Sequence, residues 1–147
     1  MKKGFTLVEL LVVISIIGVL ASLALVSFGP SQKQARDVQR KSDLKQYQTA
    51  LENFANEHNS FYPSKTSTIL LSSLCSSFDI SGECPIDPKE PTYNYSYISN
   101  GSGSPSNDAT DYLLWSVLES AGGYWVICSS GMVGAVTSAP TSVNCPL

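Results

Sequence analysis

Lys2-Lys3-Gly4-Phe5-Thr6-Leu7-Val8-Glu9-Leu10 leads into a run that stays apolar as far as Phe28. Of the 24 residues from 5 to 28, 18 are apolar. As an α-helix rising about 1.5 Å per residue they would span roughly 36 Å, more than a ~30 Å hydrocarbon core. Lys2 and Lys3 precede the run, and the next base is Lys33. The positive-inside rule then keeps the N-terminus in the cytoplasm and exports the remainder of the chain. The apolar stretch of a cleaved secretory signal is shorter, about 7–15 residues. A plain membrane anchor fits the length but has no use for Glu9. A carboxylate near the apolar centre costs about 2.5 kcal/mol or more, and such a residue usually has a partner and a purpose. No base lies one turn from Glu9 within the run. Its partner is therefore expected from outside the helix, or from an amine newly made by cleavage.

These residues resemble the leader of type IV prepilins and of the related type II secretion pseudopilins. The likeness is tight at the N-terminus and loose beyond it. It implies that a prepilin peptidase cuts after Gly4 and N-methylates the new amine of Phe5. It further implies that Glu9 pairs with the Phe5 amine of a neighbouring copy as the helices leave the bilayer to form a filament core. The implied partners are other copies of this chain, minor pilins and an inner-membrane assembly platform. The physical chemistry agrees. Gly4 has no side chain to block a narrow cleavage site. Glu9 lies four residues from Phe5, about one helical turn. A buried unpaired charge is costly, so such a pair would set the axial register between copies. The implied location is the inner membrane as a single-pass precursor with its N-terminus in the cytoplasm, then a cell-surface filament. The alternative is a pseudopilin that forms a short periplasmic filament.

Gly29-Pro30 ends the apolar run. Proline lacks the backbone donor and clashes with the preceding turn, so a kink or melted stretch is expected within residues 26–32. The other possibility is a true helix end, with Ser31 as N-cap of a new helix. Residues 31–58 read as an amphipathic helix, because Ala35, Val38, Leu44, Tyr47, Leu51, Phe54 and His58 recur mostly at helical spacings. Arg36, Arg40, Lys41 and Lys45 form a basic stretch. It reads as a solvated face, or as a surface pairing with the acidic sheet domain of a neighbouring copy. Asp37 and Asp43 interrupt it and the net charge is −3, so nucleic acid is not an expected partner. Asn59 and Phe61-Tyr62-Pro63 close the helix.

Beyond residue 60 the signals change. Residues 68–78 allow a short helix. Tyr93, Tyr95 and Tyr97 alternate with polar residues, as in a strand. Residues 112–119 and 124–129 read as a hairpin around Gly122-Gly123. Ser130-Gly131 then turns into residues 133–137. The expected fold is α+β: a long N-terminal helix packed on an antiparallel sheet of three or four strands, as in the pilin fold. Residues 1–4 are the expected leader, 5–29 the transmembrane and filament-core helix, 30–59 the amphipathic helix, and 60–147 the sheet domain.

Four cysteines in an exported domain suggest disulfides, with three possible connectivities. Cys75–Cys84 and Cys128–Cys145 are favoured because each pair brackets one loop. The second resembles the C-terminal disulfide-bounded loop of type IV pilins. The cysteine spacings lack the close pair of a zinc site. Asp87-Pro88 followed by Pro91-Thr92-Tyr93-Asn94-Tyr95 resembles a stretch of the major type II secretion pseudopilin, a family that binds calcium. Asn107, Asp108 and Asp111 are the oxygen donors this would use, although loop Asp and Asn more often make turns. No other cofactor or metal is expected. Catalytic residues are expected to be absent. The single histidine, His58, sits at helical spacing from Phe54, and no nucleophile elbow or phosphate loop occurs. Asn94-Tyr95-Ser96 and Asn100-Gly101-Ser102 match the glycosylation sequon, a pattern that Ser-rich loops produce by chance.

Overall fold

The long helix α1 (Leu7–Glu57) carries 51 residues, and everything else is built against its second half. The computed structural model describes residues 4–78 and 84–147, with the backbone alone at 24–27. Pro30 lies inside α1. A proline removes one backbone hydrogen bond and crowds the carbonyl four residues earlier. Accordingly the axes of Leu7–Leu23 and Phe28–Glu57 meet at 45°. The helix bends without ending, so Ser31 is not the N-cap of a second helix. Among the described residues no single straight helix is long and apolar enough to cross a membrane, but the bent pair is, by length and composition. The two serines of the straight apolar part need no outside partner. Ser15 donates to the Leu11 carbonyl at 2.8 Å and Ser22 to that of Val19 at 2.7 Å. Past Glu57 the chain turns through Asn59 and Ser60, both in the left-handed region at φ 57° and 65°.

The sheet has five strands rather than three or four. They are β1 (Ile69–Leu70), β2 (Ser96–Ser99), β3 (Tyr112–Val117), β4 (Tyr124–Cys128) and β5 (Val133–Val136), in spatial order 1-2-3-4-5 with every pair antiparallel. The unexpected strand is β1. Two residues cannot display an alternation, and Ile69-Leu70 runs directly into the 3₁₀ helix Leu71–Ser77. The apolar cluster therefore reads as one short helix from sequence alone. The tyrosine alternation is also shifted: Tyr95 precedes β2, which continues to Ser99.

The helix presents Asp37, Arg40, Leu44, Tyr47, Leu51 and Phe54 to the sheet, all of them buried. These positions are spaced by three and four, a seam along one side of a helix. Its apolar members pack with Leu71, Leu74, Phe78, Tyr97, Leu114 and Ile127. The opposite face of the sheet buries Ile98, Leu113, Trp115, Val126 and Cys128, with Cys145 packed against them. Two expected members of the helical stripe, Ala35 and Val38, are exposed instead. Asp37 and Arg40 hold the seam positions of that turn because both find charged partners in the fold. Disulfides join Cys75 to Cys84 and Cys128 to Cys145, with Cα atoms 6.2 and 5.8 Å apart. The second ties the end of β4 to the C-terminal segment.

This register separates two residues that hydrophobicity alone would treat alike. Leu51→Ala should cost about 2–5 kcal/mol of stability, and Val38→Ala should stay within about 0.5 kcal/mol. Urea unfolding of the detergent-solubilised chain, followed by circular dichroism, measures both. Equal losses would mean the helix is rotated from the position described.

Candidate functional site

Gly4 and Phe5 are exposed and precede the helix, while Lys2 and Lys3 lie outside the described residues. Thr6 is extended (φ −81°, ψ 153°) and caps α1. The Thr6 hydroxyl accepts the Glu9 N–H at 3.2 Å, and Glu9 Oε2 accepts both the Thr6 N–H and the Thr6 hydroxyl at 2.8 Å. This is a capping box, which satisfies two orphan donors of the first turn reciprocally. It also places a carboxylate where the helix dipole favours negative charge. Within its own chain Glu9 therefore has a neutral donor, Thr6. Its signature, Thr-x-x-Glu, is legible at residues 6–9. Chemically, the Gly4–Phe5 bond sits in irregular, accessible backbone, which a protease can engage without unwinding a helix. Glu9 lies one turn inside that bond.

Behind this cap the apolar residues have no cover. Among the described residues, fourteen large apolar side chains from Phe5 to Phe28 are exposed. At about 1.5–3 kcal/mol per fully buried side chain, leaving them in water forfeits on the order of 20 kcal/mol. That gain is recovered only where the segment is covered. A bilayer or other chains would supply that cover.

Along the helix, protein cover begins at a buried ionic cluster. Arg40 is 0% exposed. Its Nε and Nη2 donate to Asp87 at 2.7 and 2.9 Å, its Nη1 to Asp37 at 2.9 Å, and its Nη2 also to Glu119 at 2.7 Å. Arg36 grips Glu119 with two bonds of 2.8 and 2.6 Å. Asp37 accepts the N–H groups of Glu119 and Ser120, both at 2.9 Å. The guanidinium also lies 5.2 Å from the Tyr93 ring centroid. Burial alone would raise the Asp37 pKa, but the Ser120 hydroxyl, the two N–H groups and Arg40 outweigh it and lower it. Arg36, acting against a smaller burial effect, holds Glu119 far below the usual carboxylate range, with help from Arg40 and Lys89. Arg40 is thus buried rather than solvated, and Arg36, its side chain still 23% exposed, pairs with Glu119 of its own chain. Lys41 instead lies 4.2 Å above the Trp125 ring, and Lys45 donates to Gln48.

Tyrosine–acceptor contacts continue along the helix. Tyr95 donates to Asp43 at 2.6 Å, and Tyr62 and Tyr112 donate to Glu52 at 2.9 and 2.8 Å. Tyr47 and Tyr97 donate to the carbonyls of Pro85 and Pro63, both at 2.7 Å. Burial, chiefly, pushes the Tyr47 and Tyr62 hydroxyls up to about 12 and those of Tyr95, Tyr97 and Tyr112 higher still.

The remaining expected residues are dispersed. Asp108 accepts the Ser102 N–H at 3.1 Å, and Asp111 accepts from Asn100 and Thr110 at 2.9 and 2.8 Å. Asn107 is exposed. No group of three or more His, Cys, Asp or Glu side chains able to hold a metal forms among the described residues. The His58 ring stacks on Phe54 at 3.8 Å, with Nδ1 2.8 Å from the Phe54 carbonyl.

Residues 1–25 match the family described as the prokaryotic N-terminal methylation motif. The chain is 37% identical over 60 residues to the type IV major pilin protein PilA of Myxococcus xanthus (strain DK1622). That match covers 41% of this chain and 27% of the relative, so the chain spans about a quarter of the length of the curated protein it matches. No solved structure matches it significantly. By motif and homology the chain is type IV pilin-like.

Two outcomes test the cluster and the tyrosines. Arg40→Ala leaves Asp37 and Asp87 buried without their cation and should cost about 3–5 kcal/mol in urea unfolding. The tyrosines titrate higher in the folded chain than the ordinary value of about 10. Their stabilisation is present below that pH and is lost as pH rises through the folded values. Tyrosinate absorbance of these five should therefore rise together with loss of helical circular dichroism. Ionisation well before unfolding would contradict their burial.

Proposed function

We propose that this chain is a structural subunit of a type IV pilus, not an enzyme. It is processed by prepilin peptidase after Gly4, methylated at Phe5, and polymerised through α1. One observation carries the reading: an uncovered apolar half-helix, preceded by an accessible Gly4–Phe5 bond, is attached to a domain that covers only the other half. The methylation motif and the homology to a major pilin support it. Cleavage turns the Phe5 amide into a cationic amine. In the assembled filament Glu9 exchanges its neutral Thr6 donors for the amine of a neighbouring copy. A charge-assisted bond is stronger than a neutral one in a dry core. The precursor sits in the inner membrane with its N-terminus in the cytoplasm. An assembly platform and minor pilins then move it into the filament. Surface loops of the sheet domain would serve adhesion, motility or DNA uptake.

Sheared surface filaments examined by electron microscopy and mass spectrometry should contain this chain, beginning at N-methylated Phe5. The Glu9→Ala variant should remain membrane-inserted and yield no filaments. A filament confined to the periplasm would instead favour the secretion pseudopilin. An unprocessed chain that stays in the membrane without polymerising would refute both readings.

A further inference from the structure

A hollow of about 350 Å³ opens beside the bend of α1. Gly29, Pro30 and Lys33 line it from the helix, and Glu119 and Ser120 line it from the connection between β3 and β4. Its size falls within the ~300–1,000 Å³ of small-molecule sites. Glu119 does not make the hollow acidic, because its carboxylate already meets Arg36, Arg40 and Lys89. Hollow and cluster together hold four cations, Lys33, Arg36, Arg40 and Lys89, against three carboxylates, Asp37, Asp87 and Glu119. Lys33 carries the surplus: it is exposed, and among the described residues it forms no ion pair.

Arg36 lies three residues from Lys33, a spacing that makes helix side chains neighbours. Its Nε and Nη2 hold Glu119, which leaves the Nη1 end of a part-exposed fork for another acceptor. An ammonium beside a spare guanidinium edge suits a phosphate, which accepts from both. The depth of the hollow decides where that phosphate comes from. At ~1.5 Å per residue the helix from Leu7 to Phe28 runs about 33 Å, which matches a ~30 Å hydrocarbon core. Gly29 to Lys33 follow at once, so with the apolar half inserted the hollow lies level with the lipid headgroups. Lys33 is the first base after the apolar run, and a lysine at such a boundary extends its ammonium into the headgroup layer. A zwitterionic headgroup would bring one more cation to a site already short of negative charge, so the matching occupant is an anionic lipid.

We propose that this hollow seats the phosphate of an anionic phospholipid through Lys33 and Arg36. The lipid belongs to the leaflet on the side of the sheet domain. The inference rests on the membrane-inserted precursor of the filament reading and adds to it a specific contact with the membrane surface. The walls of the hollow come from both the helix and the β3–β4 connection, so a headgroup between them ties the sheet domain to the bend. The tie exists only while the chain is in the bilayer. It orients the stored precursor and is given up when the helix enters a filament.

The test uses the full chain in nanodiscs of mixed phosphatidylglycerol and phosphatidylcholine. Native mass spectrometry of the released chain should show a retained phosphatidylglycerol. Lys33→Gln should lower that retention about fivefold, and Lys33→Arg should keep it. Lys45→Gln removes an equal charge farther along the helix and should keep it too. Phosphatidylglycerol with a photoreactive headgroup should label segments 29–33 and 119–120, and inorganic phosphate should not displace it. Unchanged retention in Lys33→Gln, an equal loss in Lys45→Gln, or labelling confined to other segments would overturn the lipid site and leave the filament reading standing. Displacement by inorganic phosphate would mark a free-anion site and overturn the lipid assignment. A chain that does not insert into nanodiscs removes the membrane-inserted precursor, and this inference with it.

Discussion

The guanidinium of Arg40 has no access to water, and the packing of the whole domain follows from keeping it satisfied. A buried cation is tolerated only when carboxylates and hydrogen-bond acceptors surround it. Its acceptors come from its own helix, from the loop at Asp87 and from the segment after β3 at Glu119. Three parts of the chain must therefore meet at one point. Leucines at that seam position would tolerate a helix shifted by a turn, about 5.4 Å. A guanidinium would not, because the shift leaves it facing no carboxylate. The apolar seam at Leu44, Tyr47, Leu51 and Phe54 supplies the burial, and the ionic cluster selects the register in which that burial occurs.

The same cluster marks where one solvent gives way to another. Above it, tyrosines donate to Asp43 and Glu52 and keep the helix–sheet interface satisfied on both flanks. Below it, the helix bends near Pro30 and continues with no protein around it. In the uncovered half Ser15 and Ser22 bond back to carbonyls and Thr6 holds Glu9. The helix is thus packed against the sheet over one half and uncovered over the other.

Several sequence expectations fail for one common reason. Ala35 and Val38 look like core residues because they are apolar at helical spacing, and Arg36 and Arg40 look like surface residues because they are charged. The fold exposes Ala35 and Val38, buries Arg40 and engages Arg36 with Glu119, because Asp87 and Glu119 lie 47 and 79 positions beyond Arg40. Strand β1 is hidden for a related reason: its pairing with β2 is made by two residues whose partners begin 26 positions on, at Ser96. The capping box at Thr6, by contrast, is legible in the sequence, because Thr-x-x-Glu depends only on residues three apart.

What the amino-acid sequence determined by itself is the local part. The apolar run, the Gly4-Phe5 junction, the position of Glu9, the long helix and the β3–β4 hairpin depend on composition and short spacings. Neighbours a few residues apart set them. The tertiary structure alone decided which basic residues are buried and that the sheet has a fifth strand. Those outcomes depend on contacts between distant segments, where a charge can be placed inside only after the residues that neutralise it have arrived.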